Sequence, residues 1–386
     1  MSEISHGVYT YEKETSLSTP VTADVGIPFV VGTAPFGDDT TATAGTPVYV
    51  TSWSEAEEAI GYDDDWETYT LCEFMYSHFK LYGMSPVIFL PLASGATTTE
   101  VAAAFESVDL CQAKFSTLPD LLLAPGFSDD STVRAVMAAK AEDILGMFKA
   151  KAIVDLSTTD YTTYTEAIEG KNAGSWTSAE IVCWPMIQLG DYKFHLSTAL
   201  AGLMAQTDSD NEDVPYEAPS NKTLQMDGAC LAGGTEVALT QSQANTLNGA
   251  GIVTALNLTG WVAWGNYTAV YPSSTDVKDY FIPISRMFGY VAGTLIKTFW
   301  SQVDKPMNKA LVERIIDSAN IWLNGLVGMG ALLGARVVLS DENTTTSLMA
   351  GIIKFHVYIT PPSPAQEIDF TLEYDTDYVE SYFSNF

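Results

Sequence analysis

Two runs of this chain, VIFLPL (87–92) and DLLLAP (120–125), are apolar almost without a break. A strand with one face in water alternates polar and apolar residues, whereas a strand that is apolar throughout has to be covered on both faces. Runs of this kind predict strands over 27–32, 47–53, 86–91, 121–125, 152–156 and 180–185. Between them, helical segments are predicted over 54–60, 66–81, 99–106, 130–148 and 162–170, the first capped by Ser54 with Glu57 at capping-box spacing. Alternation of strand and helix implies an α/β sheet with right-handed crossovers.

At 386 residues the chain is long enough for about two domains. A hydrophobic content of 47% is too rich for disorder. The formal charge of −30 opposes nucleic acid and anionic membrane as partners. It also confers solubility, and in a chain that polymerises it would restrain premature association. Cys72, Cys111, Cys183 and Cys230 form no CxxC pair and read as small buried hydrophobes in a reducing compartment. The start MSEISHGV lacks the basic and apolar regions of a secretory signal. Residues 321–339 are apolar enough to suggest a membrane span, but Asn324, close-set glycines and Arg336 divide them into a helix end and a strand.

The organisation expected is an arm over 1–24, an outer α/β domain over 25–262, an inner α+β domain over 263–366 and a second arm over 367–386. The first arm carries a short apolar and polar alternation at Val8, Tyr9, Thr10 and Tyr11. The inner domain reads as helices over 280–300 and 306–324 followed by strands over 335–339 and 351–360. After the PPSP brake at 361–364, Ile368, Phe370, Leu372 and Tyr374 recur with a period of two. A lone terminal strand is either an edge of its own sheet or a donor to another molecule's sheet.

Motifs for catalysis are missing from the sequence: it has no Walker lysine, no GxSxG elbow and no HExxH. The glycines 325, 328, 330 and 334 follow a helix and precede a strand, the reverse of a dinucleotide loop. The acidic groups at 63–65 and 208–212 read as solvated turns, and His6, His78, His195 and His356 are scattered. No catalytic, cofactor or metal residue is therefore assigned, and an enzyme is not expected. A soluble α/β enzyme or nucleotide-binding protein remains the alternative, because parallel sheets often hold ligands at strand ends. One cluster stands out. Lys297, Lys305, Lys309, Arg314 and Arg336 are opposed by only Asp304, Glu313 and Asp317 in an otherwise acidic chain. Pro306 behind Asp304 suits a helix start, and Leu311, Ile315, Ala319 and Trp322 or Leu323 form an apolar stripe opposite Lys309 and Glu313.

The C-terminal third, from FIPISRMFGYVAGTLIKTFW through the basic helix, glycine turn and two strands to the tail, resembles the C-terminal domain of contractile tail sheath proteins. The segments at 6–35 (HGVYTYEKETSLSTPVTADVGIPFVVGTAP) and 46–79, and the NGAGI and WGN segment within 247–270, are similar to that family in the same order. The resemblance implies a structural subunit that polymerises helically around a tail tube and contracts to drive it through an envelope. It implies tube contact through Lys305, Lys309 and Arg314, and arms (Val8–Tyr11 and Ile368–Tyr374) that add strands to neighbouring subunits. The implied partners are further copies of itself, the tube protein, and baseplate and tail terminator proteins, with no cofactor, nucleic acid or membrane. Assembly would take place in the cytoplasm of a bacterial host, as part of a phage tail or tail-like particle.

Overall fold

The computed structural model describes residues 18–37 and 39–384, so Val8, Tyr9, Thr10 and Tyr11 lie outside the described residues. The strands are β1 (Pro28–Thr33), β2 (Val48–Val50), β3 (Val87–Leu92), β4 (Leu121–Leu123), β5 (Lys151–Asp155), β6 (Glu180–Cys183), β7 (Met186–Leu189), β8 (Tyr192–Phe194), β9 (Gly228–Cys230), β10 (Ile252–Asn257), β11 (Trp261–Trp264), β12 (Gly334–Leu339) and β13 (Phe355–Thr360). Eight of them form one sheet in the order β11-β10-β6-β5-β4-β1-β3-β2. Its centre is parallel; β2 and β11 close the two edges antiparallel.

The near-continuous apolar runs are explained by two separate cores, one on each face of this sheet. Val30, Leu121, Leu123 and Ile153 point into one, beneath the helices Thr70–Met75 and Leu196–Asp210. Their neighbours Phe29, Val31, Leu122, Ala152 and Val154 point into the other, beneath Thr98–Ala104, Ser131–Glu142, Tyr164–Ala173 and Gln241–Gly249. Burial on both faces is what a strand such as Leu121–Leu123 needs to offset the cost of ordering it. All four cysteines are buried free thiols within this body. A third cluster, built from Met287, Tyr290, Val291, Ala319, Leu323, Leu326 and Val337, joins the helices Ile282–Phe299 and Lys309–Gly328 to the β12–β13 hairpin.

Local signals account for most element ends. Thr97 with Glu100, Thr163 with Glu166 and Thr240 with Gln243 each close a full capping box. Several sequence expectations shift. The first helix spans Trp53–Ile60 and is capped by Ser52, which accepts from Glu55 N, not by Ser54. The strand expected over 47–53 is therefore only Val48–Val50. The helix expected over 130–148 stops at Glu142. The one expected from 66 begins at Thr70, and its last turns widen to π-helix over Tyr76–Leu81. The basic helix starts at Lys309 behind Asn308, whose side chain accepts from Leu311 N, so Pro306 and Asp304 precede it. The last strand begins at Phe355 rather than 351.

The NGAGI and WGN glycines are both conformationally required. Gly251 has φ +76, and a Cβ there would sit 2.7 Å from the Tyr271 carbonyl oxygen; Gly265 has φ +145, and its Cβ would meet Asn248 Oδ1 at 2.8 Å. They flank β10 and β11, the antiparallel pair at one edge of the sheet.

Candidate assembly surface

The Lys309–Gly328 helix buries Ser318, Ala319, Leu323 and Leu326 and leaves its opposite side open. The predicted stripe is thus half right: Ala319 and Leu323 are core, while Leu311 and Ile315 are only partly covered. Lys305 and Lys309 are exposed where the chain enters this helix. Lys305 Nζ donates to Gln302 Oε1 at 3.3 Å, and Lys309 lies 3.3 Å from Glu313 one turn on. Arg314 is half-covered, and its buried Nε finds no partner among the described residues. Lys297 turns inward to Asp24 at 2.7 Å, and Arg336 lies over the Tyr358 ring, 4.3 Å from its centroid. The five cations of the sequence cluster therefore separate, with Lys305 and Lys309 facing out.

From Ser18 to Asp24 the chain is strapped along the Ile282–Phe299 helix. The Ala23 and Val21 backbone N–H groups donate to the Thr294 and Thr298 hydroxyls, each at 2.9 Å, and Ser18 N donates to Ser318 Oγ at 2.9 Å. The spacing of Thr294 and Thr298 puts both hydroxyls on one side of the helix. Asp24 ends the strap, accepting from Lys297 Nζ and from Leu118 N. A cavity of about 710 Å³ opens beside it, lined in part by Val25, Lys151, Gly289 and Lys297.

The same helix is pinned to the large sheet by Arg286. Its guanidinium donates to the buried Asp208 at 2.8 and 2.5 Å and to the partly buried Asp120 at 2.7 Å. Next to it, Lys151 Nζ donates to Ser178 O and Ser285 Oγ, both at 2.6 Å. Burial, with Arg286 and Lys149 nearby, pulls the Lys151 pKa down to about 7. A second polar cluster lies at the start of the Leu196–Asp210 helix. Glu73 accepts from His195 N and Thr198 Oγ1 and faces His195 Nδ1 at 3.0 Å, while Asp155 accepts from Ser197 N. Two carboxylates from other elements thus satisfy the helix's first donors. Burial lowers the His195 pKa, but Glu73, Asp155 and Asp129 overcome that and hold it at about 9. A histidine charged at neutral pH is the cation of an ion pair, not a proton acceptor.

Among the described residues, the tail over 361–375 has no ladder partner, and Ile368, Phe370, Leu372 and Tyr374 are 69, 85, 95 and 77% exposed. Near its root, Gln366 Oε1 accepts from Tyr267 O–H at 2.7 Å. A short helix, Asp377–Phe383, follows, which the sequence pattern did not signal. The tail is therefore no edge strand of its own sheet among the described residues. Among those residues, no group of three or more His, Cys, Asp and Glu is placed to hold a metal, and no helix is long and apolar enough to cross a membrane.

No protein-family model matches the chain. A protein named as a prophage major tail sheath protein, from Pseudomonas aeruginosa (strain UCBPP-PA14), is 26% identical over 356 residues, 87% of this chain and 88% of that relative. The tail sheath protein of Burkholderia phage BcepMu is 26% identical over 275 residues, 67% of this chain and 56% of its own length. These relatives are named as tail sheath proteins, and the first is similar to this chain over most of both lengths. The fold agrees with two solved sheath structures. The contracted helical sheath of the anti-feeding prophage superposes with a TM-score of 0.72 at 22% identity, over 96% of this chain and 99% of that one. The contracted PVC sheath complex of an extracellular contractile injection system gives 0.72 at 18% identity, over 98% and 100%.

Proposed function

We propose that this chain, similar to tail sheath proteins over most of its length, is the repeating structural subunit of a contractile tail, polymerising helically around a tail tube and contracting to drive that tube through a target envelope. The observation that carries the reading is the tail: a row of four large apolar side chains, more than two-thirds exposed and without a ladder partner among the described residues. A monomer gains nothing from exposing such a row, whereas a polymer buries it. The arms are residues 1–24 and 367–386, with Val8–Tyr11 and Ile368–Tyr374 as the exchanged strands; 25–262 forms the outer body and 263–366 the inner, tube-facing one.

Lys305, Lys309 and Arg314 face the tube in this reading. Helix energetics support a role for Lys309 beyond its own chain. A cation in the first turn opposes the helix dipole, by about 0.3–1 kcal/mol at an exposed site, and no acidic residue shares that turn. Heterologous contacts that do not close into a ring generate an open helix. Contraction then needs no bond chemistry, only contacts that are better in the shorter lattice. Baseplate and terminator proteins would meet the ends of this helix, with assembly in the bacterial host cytoplasm. Negative-stain imaging of purified protein tests the proposal: wide, hollow, striated tubes are expected, and discrete particles at every concentration would contradict it.

A further inference from the structure

We propose that Lys151 is a nucleophilic amine at the seam between the large sheet and the Ile282–Phe299 helix, and that it takes an acyl group from a small acyl phosphate. Lys151 begins β5, is 7% exposed, and lines the cavity of about 710 Å³ beside that helix. Its Nζ donates to Ser178 O, just before β6, and to Ser285 Oγ on the helix, both at 2.6 Å. Among the described residues it has no third acceptor and no carboxylate within ion-pair distance. An ammonium carries three N–H bonds and a neutral amine two. The two partners therefore match the two hydrogens of the amine and leave its lone pair free to attack. Electrostatics agree with that geometry. Burial, with Arg286 and Lys149 opposed by only Asp279 and Glu142, brings the group to about 7, so about half the copies hold it unprotonated there. Lysines activated by burial in this way serve as nucleophiles.

The other cations of the cavity select the electrophile. Lys297 is paired with Asp24 and Lys278 with Asp276, each at 2.7 Å, and Arg286 is held by Asp120 and Asp208. Lys149 is exposed at the same cavity and has no ion pair among the described residues. A phosphate beside Lys149, with its acyl carbonyl turned to Lys151, matches this pair of amines. The Lys151 lone pair attacks the carbonyl carbon and a C–N bond forms. The bond from that carbon to the phosphate oxygen breaks, and phosphate leaves with the electron pair. The surplus amine proton passes to phosphate or water. The amide that results keeps one N–H, so either Ser178 O or Ser285 Oγ loses its bond, and acylation loosens the tie between sheet and helix.

Acetylation of purified full-length protein by acetyl phosphate, read by peptide mass spectrometry, tests this. At about pH 7 the Lys151 peptide should be acetylated about tenfold or more faster than the peptide bearing exposed Lys305. Its rate should level off above about pH 7 while that at Lys305 keeps climbing, and the preference should vanish in denaturant. Lys149→Gln should slow the reaction with acetyl phosphate roughly threefold or more, and leave acetylation by phenyl acetate, a neutral ester, unchanged. Acetylation of Lys151 no faster than that of Lys305, a rate without a plateau, or a preference that survives unfolding would overturn the nucleophile. An equal loss with both donors in Lys149→Gln, or no loss with either, would overturn the choice of an acyl phosphate.

Discussion

His195 shows how a single side chain ties folding to pH in this molecule. Its pKa of about 9 lies above the ordinary 6.5 because the Glu73 carboxylate, with Asp155 and Asp129 behind it, outweighs the cost of burial. Between those values the folded chain holds a proton that the unfolded chain has released, so this contribution is full below pH 6.5 and is lost as pH rises through about 9. Two lysines act in the opposite sense. Burial brings Lys151 to about 7 and Lys171 to about 8, so their cost to stability is relieved as pH climbs from there towards 10.5. The whole-protein pH profile mixes these terms, and only a difference isolates the histidine. Wild type minus His195→Gln, from denaturant unfolding, should shrink by about 1–3 kcal/mol between pH 6.5 and 9. A flat difference would mean the Glu73 pair carries no linked proton.

At the level of elements, the strap along the Ile282–Phe299 helix makes the next prediction. Replacing both Thr294 and Thr298 with Val leaves the Val21 and Ala23 N–H groups without their acceptors, at about 1–3 kcal/mol each where they stay buried. Cleavage by a nonspecific protease near residues 18–25 should rise at least tenfold while the large sheet stays protected; unchanged cleavage would mean the hydroxyls do not hold the strap. None of this strap was readable in the sequence, because hydrogen bonds between residues 270 or more apart leave no periodic trace. What was readable is the doubly covered sheet, since VIFLPL and DLLLAP have to be buried on both faces. The misses have local causes. Ser54 and Ser52 flank Trp53, and spacing alone does not say which one holds the extended conformation of a cap. The strands β7, β8 and β9 are three or four residues long, too short for alternation to register. Leu196–Asp210 went unread as a helix because it is buried nearly all round and lacks a polar face. The tail's period of two is a strand pattern, yet residues 368–374 form no strand among the described residues, because alternation shows which side chains share a face and not what they pair with.

For the whole molecule, two terms oppose each other. A charge of −30 per copy disfavours close packing, and the exposed apolar row of the tail favours it. Such a balance makes polymerisation depend on salt and on the tail. Attachment to the tube is a separate contact in this account. Charge reversal at Lys305, Lys309 and Arg314 should leave polymers of normal width that fail to retain tube in co-sedimentation, with at least a tenfold loss. Full retention would remove these residues from the tube interface.

The most direct test removes residues after Pro364 and compares the truncated protein with the full chain by electron microscopy and sedimentation under identical conditions. The account predicts tubes from the full chain, and a folded, soluble monomer with unchanged circular dichroism from the truncation. Tubes of normal diameter and length from the truncated protein would contradict it.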